Sequence, residues 1–365
     1  MTVSVIVLAA GEGSRMRSNR PKPLHLICGR PMVMHVIHAL ELVQPDRTVV
    51  VVGHGAERVT KKVQAEAPQW ANVSFVEQTV QRGTGDAAMV GLTGLSGDDL
   101  DDNSTVVVLP GDTPLLQPGS IDLLVSTHVA NGYAATLLTS ELDDPTGYGR
   151  VVRAPSRHGD GRVLRIVEQR DASPDELAIR EVNTSMYAFR RDLLGPALRR
   201  LSPDNAQGEY YLTDVIGSLA GMGHLIGCVQ VPESETQGVN DRWQLAMAER
   251  ELRARTNRRH LLNGVTMLDP RQTFIDVTVR LGRDVTLFPG TILQGDTVVG
   301  DGCEIGPDTR LVDCNVGNGA IVEHTVGRDS RVGEGAHVGP FAHLPTGSSV
   351  ASSAVTGAFY TASVD

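Results

Sequence analysis

At 365 residues the chain exceeds one ordinary domain, and two domains are expected, each with a core large enough to need no disulfide or metal. A net charge of −10, from 33 Lys and Arg against 43 Asp and Glu, argues against nucleic acid as the main partner, so an anionic substrate requires a local basic site. Four scattered cysteines without a C-x-x-C pair, eleven histidines without metal-ligand spacing, no signal-peptide pattern and no apolar run near the roughly 20 residues of a membrane span together predict a reduced, cytoplasmic protein with no membrane partner.

The chain opens on an apolar run, Val3 to Leu8, that ends in a glycine turn, Gly11-Glu-Gly13-Ser-Arg15, followed by Pro21-Lys22-Pro23. Glycines let backbone N–H groups approach a ligand closely, and such groups bind phosphate. Arg15 and Lys22 add positive charge where a triphosphate would lie. The dinucleotide fingerprint needs a third glycine, and Met16 follows instead; the P-loop ending Gly-Lys-Ser/Thr is absent; a plain tight turn is the remaining alternative for this motif alone.

Further along, Thr48–Val52, Val73–Val76, Thr105–Leu109 and Ala134–Leu138 read as strands, with helical stretches at Met32–Leu42 and Ile121–His128 between them. Runs without strict alternation, interleaved with helices, predict a mostly parallel sheet covered on both faces. The acidic segment 97–103 and the polar segment 155–161 are expected to be surface connections.

From Asp241 to Leu262 the pattern is helical, with Trp243, Leu245, Ala248 and Leu252 as its apolar face, and Asn263-Gly264 stops it. Beyond this point Leu281, Leu287, Leu293, Val299, Ile305 and Leu311 recur every six residues. Val326, Val332, Val338, Leu344 and Val350 resume the period after a slip through Val316 and Ile321, and Gly282, Gly300, Gly306, Gly317, Gly327, Gly333 and Gly339 follow apolar positions. A sustained period of six is the signature of a hexapeptide β-helix, and an antiparallel sheet of period two does not generate it. A short array exposes its end coils, so self-assembly is expected.

Nine ordered motifs carry a resemblance: LAAGEGSRM at 8–16, PKPLH at 21–25, RGTGDA at 82–87, GDTPLL at 111–116, DDPTGYGR at 143–150, IVEQRDA at 166–172, EVNT at 181–184, NAQGEYYLTD at 205–214 and GVNDRWQL at 238–245. With the six-residue repeat behind them, the chain resembles the bacterial bifunctional N-acetylglucosamine-1-phosphate uridyltransferase / glucosamine-1-phosphate acetyltransferase family over nearly its whole length. The resemblance implies a Rossmann-like nucleotidyltransferase domain of the α/β class over 1–240, a connecting helix at 241–263, and a short left-handed parallel β-helix over 264–365 that assembles into a homotrimer. It implies a nucleoside triphosphate, UTP first, and a sugar 1-phosphate, N-acetylglucosamine 1-phosphate first, as substrates, with nucleotide sugar and pyrophosphate as products.

By the same resemblance Leu8, Ala9, Ala10, Gly11, Gln78, Gly83, Thr84 and Gly111 surround the nucleotide, Arg15 and Lys22 hold the triphosphate as catalytic cations, Asp112 and Asn240 ligate Mg²⁺, and Gly149, Glu168, Asn183, Tyr211 and Thr213 surround the sugar. The chemistry suits these residue types. Two anions must meet, and a hard cation on oxygen ligands, with lysine and arginine, neutralises their approach. The attacking phosphate oxygen is already ionised, so no general base is required.

The departures also carry expectations. Asp86 stands where the family commonly has histidine, and Ser185 replaces the glycine after Asn-Thr, beside the sugar. Two alternatives follow: the same chemistry on another base or another hexosamine or cyclitol phosphate, and an inactive paralogue acting in assembly. In the repeat, Pro345 occupies the position of the family's phosphate-holding arginine and Ser363 that of a lysine, and the chain ends at Asp365, before the family's catalytic histidine and coenzyme coils. An acetyltransferase site is therefore expected to be absent.

Overall fold

The structure, a computed structural model, describes residues 2–95, 104–155 and 161–364. The segment 97–103 and residues 156–160, expected as loops, lie outside the described residues. The chain falls into two compact units, one of residues 1–25 and 31–245, the other of residues 26–30 and 246–365. The helix expected as a connector therefore contributes to both.

The first unit is built on strands β1 (Val3–Ala9), β2 (Arg47–Val52), β3 (Val73–Glu77), β4 (Thr105–Pro110), β5 (Ala135–Glu141), β6 (Gly149–Arg153), β7 (Val163–Val167), β8 (Glu181–Arg190) and β9 (Ile226–Gln230). They form one sheet of order β9-β5-β8-β4-β1-β2-β3, with the β6–β7 hairpin paired to the start of β8. All neighbours along that order are parallel except β8, which runs antiparallel to both β4 and β5. Alternate residues of β1 enter different cores. Val5 and Val7 pack on one face with helices α1 (Met32–His38), α2 (Ala56–Glu66) and α4 (Pro118–Asn131), and Ile6 packs on the other with α3 (Thr84–Thr93), α5 (Arg191–Leu198) and α6 (Asp214–Gly221). A strand buried on both faces has no polar side, so its sequence runs apolar without alternation. The first helix stops at His38, short of the expected Leu42, and Pro118–Asn131 extends beyond both ends of the helix expected at Ile121–His128.

The chain leaves this unit on α7 (Arg242–Leu262). Trp243 does not join its apolar face: it is 72% exposed, while Ala248, Thr256, Asn257 and His260 are buried. Five residues of helix separate Trp243 from Ala248, which turns it about 140° away from the buried stripe.

The second unit contains three five-stranded parallel sheets of two- and three-residue strands, the left-handed parallel β-helix implied by the six-residue period. Leu293 pairs with Leu311 and Leu287 with Ile305 in successive coils, and all four are buried on the axis. After Leu311 the inward series runs through Val316, Val322, Gly327 and Val332, and not through Ile321 and Val326. The coil joining Leu311 to its partner Gly327 is two residues shorter than the one before it. Side chains alternate along a strand, so a one-residue shift turns Val326 outward, where it is 54% exposed, and Gly327 inward.

All four cysteines are unbridged. Among the described residues no helix is long and apolar enough to cross a membrane.

Candidate active site

The parallel part of the sheet places its ligand-facing groups at the carboxyl ends of its strands, and β1 lies where the strand order reverses, with β2 on one side and β4 on the other. Three groups of predicted residues gather there.

The first follows β1 and β4. Gly13 is left-handed (φ 66°), and a Cβ on it would sit 2.6 Å from Lys22 Cβ, so the loop closes over the lysine only with glycine at this position. Gly11 has nothing within 4 Å of its would-be Cβ and is open to solvent. Gly111 N–H donates to the Leu8 carbonyl (2.8 Å), which ties the two loops together beneath Ala9. Lys22 Nζ donates to Asp112 Oδ2 at 2.5 Å and to Asn240 Oδ1 at 3.1 Å, and Arg15 Nη2 donates to the same Asn240 oxygen at 3.0 Å. Asn240 arrives from the far end of the unit. Val239 N–H donates to the Asp112 carbonyl (2.9 Å), Asn240 N–H donates to Gln244 Oε1 (2.7 Å), and Gln244 N–H donates to Asp241 Oδ1 (2.8 Å).

Asp112 Oδ2 and Asn240 Oδ1 thus converge on one cationic point, the Lys22 ammonium. A carboxylate and an amide carbonyl aimed at one point suit a hard cation that keeps its remaining ligands as water or phosphate oxygen. Among the described residues no cluster of three His, Cys, Asp or Glu offers an all-protein alternative.

The second group follows β3. Gln78, 5% exposed, donates from Nε2 to Asp86 Oδ2 at 2.7 Å, and Gly83 O lies 3.5 Å from the same nitrogen. Gly83 caps α3 with φ 109°, and a Cβ there would lie 2.6 Å from the Tyr210 carbonyl. The Thr84 hydroxyl accepts from Leu212 N–H (3.1 Å), so this loop is stitched to the segment that carries Tyr211 and Thr213. Gln81 Nε2 donates to the Ala10 carbonyl (2.7 Å) and braces the first loop.

The third group surrounds Glu168. Gly149 pairs with Asn183 across β6 and β8, and Glu168 lies over Gly149, with its carboxylate 3.5 Å from a would-be Cβ. The Thr213 hydroxyl donates to Glu168 Oε1 (3.1 Å). Burial, opposed by the Thr213 hydrogen bond and aided by Asp214 and Asp171, raises the Glu168 carboxyl above the usual carboxylate range. Asn183 Nδ2 donates to Tyr187 Oη (2.7 Å), and Asn183 Oδ1 is buried without a protein partner. The Tyr211 hydroxyl accepts from Gln207 Nε2 (2.8 Å). Ser185 sits at the register shift of β8 with φ 62°, a left-handed conformation that explains why glycine suits this position.

Every residue predicted for the site therefore lies in one of these three linked groups. Sequence reasoning missed the residues that hold them: Gln81, Gln207, Tyr187 and Gln244. Only Gln244 carried a local signal, its position three residues after Asp241 at the start of a helix.

A profile of the MobA-like NTP transferase domain matches residues 5–212. A Bifunctional protein GlmU from Thermobifida fusca is 47% identical over 331 residues, covering 90% of this chain and 67% of that protein. One from Streptomyces avermitilis is 46% identical over 357 residues, covering 98% of this chain and 72% of that protein. A crystal structure of a UDP-glucose pyrophosphorylase complexed with UDP-glucose superposes with a TM-score of 0.56 at 16% identity, over 70% of this chain and all of that one, a likeness of fold.

Proposed function

This chain belongs to the GlmU family, and from that premise we infer that it is a sugar-1-phosphate nucleotidyltransferase that makes a nucleotide sugar and pyrophosphate from a nucleoside triphosphate and a sugar 1-phosphate. UTP and N-acetylglucosamine 1-phosphate are the substrates of this reading. The observation that carries it is the meeting of Arg15, Lys22, Asp112 and Asn240 at the ends of β1 and β4, beside a glycine loop whose Gly11 is open.

In the reaction an ionised oxygen of the sugar 1-phosphate attacks the α-phosphorus of the triphosphate. A P–O bond forms there, the bond from the α-phosphorus to the bridging oxygen breaks, and pyrophosphate leaves with the electron pair. Lys22 and Arg15 bind the phosphoryl oxygens and stabilise the charge that develops on the leaving group. Asp112 and Asn240 hold a divalent cation, Mg²⁺ in this reading. That cation supplies charge neutralisation between the two anions. With the Asp112 and Asn240 oxygens engaged in that way, the Lys22 ammonium, which now donates to both, would be left for phosphate. Gly11, Ala10 and the Gly83–Thr84 loop line the nucleotide, with Leu8, Ala9 and Gly111 beneath it, and Gln78 reads the base. Glu168 and Asn183 accept from sugar hydroxyl and amide donors, with Gly149, Tyr211 and Thr213 completing that wall. Alignment of two bound reactants supplies the remainder of the rate.

Measurement of pyrophosphate release across a panel of triphosphates and sugar phosphates tests this reading. The highest kcat/KM is expected for UTP with N-acetylglucosamine 1-phosphate. A clear preference for another pair would replace the substrates, and no release with any pair would remove the activity.

The second unit is read as structural. Pro345 and Ser363 have uncharged side chains, so neither position presents a cation for a sugar phosphate. An acyl-transfer assay, free-thiol release from acetyl-CoA with glucosamine 1-phosphate, is expected to stay at background. The reading further includes a cytoplasmic homotrimer formed through the β-helix. The exposed Phe341 and Phe359 support it: their rings stack at 5.3 Å on one corner, an apolar surface that a second copy would cover.

A further inference from the structure

Asp86 is the residue of the RGTGDA motif that the proposed function leaves without a role. It is 7% exposed in the first turn of α3, and both carboxylate oxygens are engaged. Oδ2 accepts from Gln78 Nε2 at 2.7 Å, and Oδ1 accepts from Arg82 Nη2 at 2.8 Å. Arg82 is itself steadied over the Tyr210 ring, 6.0 Å from its centroid.

A glutamine amide is nearly symmetric in shape and opposite in chemistry at its two ends. Which end faces a ligand is set by what holds the other. Here two acceptors face the nitrogen end, the Asp86 carboxylate and, at 3.5 Å, the Gly83 carbonyl. The flipped amide would set Oε1 against both, leaving a buried carboxylate oxygen without its donor, an arrangement that costs more than a neutral hydrogen bond contributes. Among the described residues no donor reaches Gln78 Oε1. The oxygen is therefore the end of the amide left for a ligand.

We propose that Asp86 is a positioning residue for base selection: it locks Gln78 with its carbonyl oxygen toward the base, so that the site accepts a pyrimidine with an N–H at ring position 3, as in uracil, and repels one with a lone pair there, as in cytosine. This rests on the reading that Gln78 contacts the base. A histidine at position 86 offers either a donor or a lone pair, according to its tautomer, whereas a carboxylate offers only lone pairs.

The test compares kcat/KM for UTP and CTP in the wild type, Asp86→Asn and Gln78→Ala, with melting temperatures measured alongside. In Asp86→Asn the Arg82 donor keeps the side-chain oxygen, so the new NH₂ faces Gln78 and favours the flipped amide. The UTP-to-CTP ratio is expected to fall by about tenfold or more, through a higher KM for UTP and a lower one for CTP, with kcat for UTP changed little. If Asp86→Asn does not fold, Arg82→Ala, at an exposed position, loosens the same carboxylate and is expected to lower the ratio in the same direction by a smaller factor. Gln78→Ala is expected to raise the KM for UTP and to flatten the ratio. A flattened ratio in Gln78→Ala with no change in Asp86→Asn, or in Arg82→Ala where that variant stands in, overturns the lock. An unchanged KM and ratio in Gln78→Ala would overturn the base-contact reading, and the lock with it.

Discussion

Lys22 and Glu168 are charged side chains in opposite electrostatic situations. Lys22 is surrounded by oxygen atoms that become metal ligands in the proposed reaction, so its charge is held where phosphate arrives. Replacing Lys22 with alanine is expected to remove about 2.7–4 kcal/mol of transition-state stabilisation, the scale of one preorganised donor, read as a drop in kcat with the fold intact by circular dichroism. Asp112→Asn is expected to raise the Mg²⁺ concentration needed for half-maximal rate, and wild-type turnover in both variants would remove the assigned site. Glu168, in contrast, is held in a buried place that resists its charge. A carboxyl whose folded pKa lies above its unfolded value favours folding while protonated, and that contribution is lost as pH rises through the unfolded value toward the folded one. Above that range burial of the group therefore opposes folding. Glu168→Gln is expected to raise the melting temperature while raising the KM for the sugar phosphate. A lower melting temperature would show that the Thr213 hydrogen bond outweighs burial.

At the scale of elements, the β-helix has one weak coil. From Leu287 to Val350 its other axial positions carry Leu, Ile or Val, but the coil after Leu311 presents Gly327. A Cβ there would meet Leu311 Cδ2 at 3.0 Å and Cys314 Sγ and Ser330 Oγ at 3.3 Å, so the shortened coil has closed around the missing side chain. Gly327→Val is expected to overpack this layer and to cost about 1–3 kcal/mol, whereas Val326→Ser, on the outside, is expected to cost little. Chemical denaturation followed through the second unit checks both; the opposite ranking would restore Val326 to the axis. The six-residue period was legible because each strand buries one residue and each corner has a fixed length. The slip was not, because removal of a residue at a corner leaves the apolar spacing nearly intact while reversing the side that each residue faces. The Trp243 expectation failed for a similar reason: composition proposed a face, and only the helical angle to Ala248 assigned the buried side.

For the whole molecule, each unit has its own core and contains a buried histidine whose pKa is strongly depressed. His128 of α4 is hydrogen-bonded through Nδ1 to the Thr136 hydroxyl at 3.0 Å, and burial lowers its pKa to about 4. His260 of α7 is lowered to about 4 by burial, with Arg259 adding to the effect. A histidine whose folded pKa is depressed contributes stability fully above its unfolded pKa near 6.5, and loses it as pH falls toward 4. Each group is worth on the order of 3 kcal/mol across that window. The melting temperature is expected to fall between pH 6.5 and 4, and the double variant His128→Gln/His260→Gln to show a flatter profile; an unchanged slope in that variant would remove these two histidines as the cause. The amino-acid sequence by itself determined the six-residue repeat of the second part through its periodicity and, through ordered motifs that resemble a known family, pointed to the chemistry of the first part and to the residues proposed for its site; periodicity and motif order are local along the chain and survive without coordinates. Only the tertiary structure decided that Asn240 meets Lys22 across more than two hundred residues, that Asp86 holds Gln78 by its nitrogen end, and that Gly327 faces the axis. Those depend on which strands pair and in what register, and pairing is settled by long-range packing that no short segment encodes.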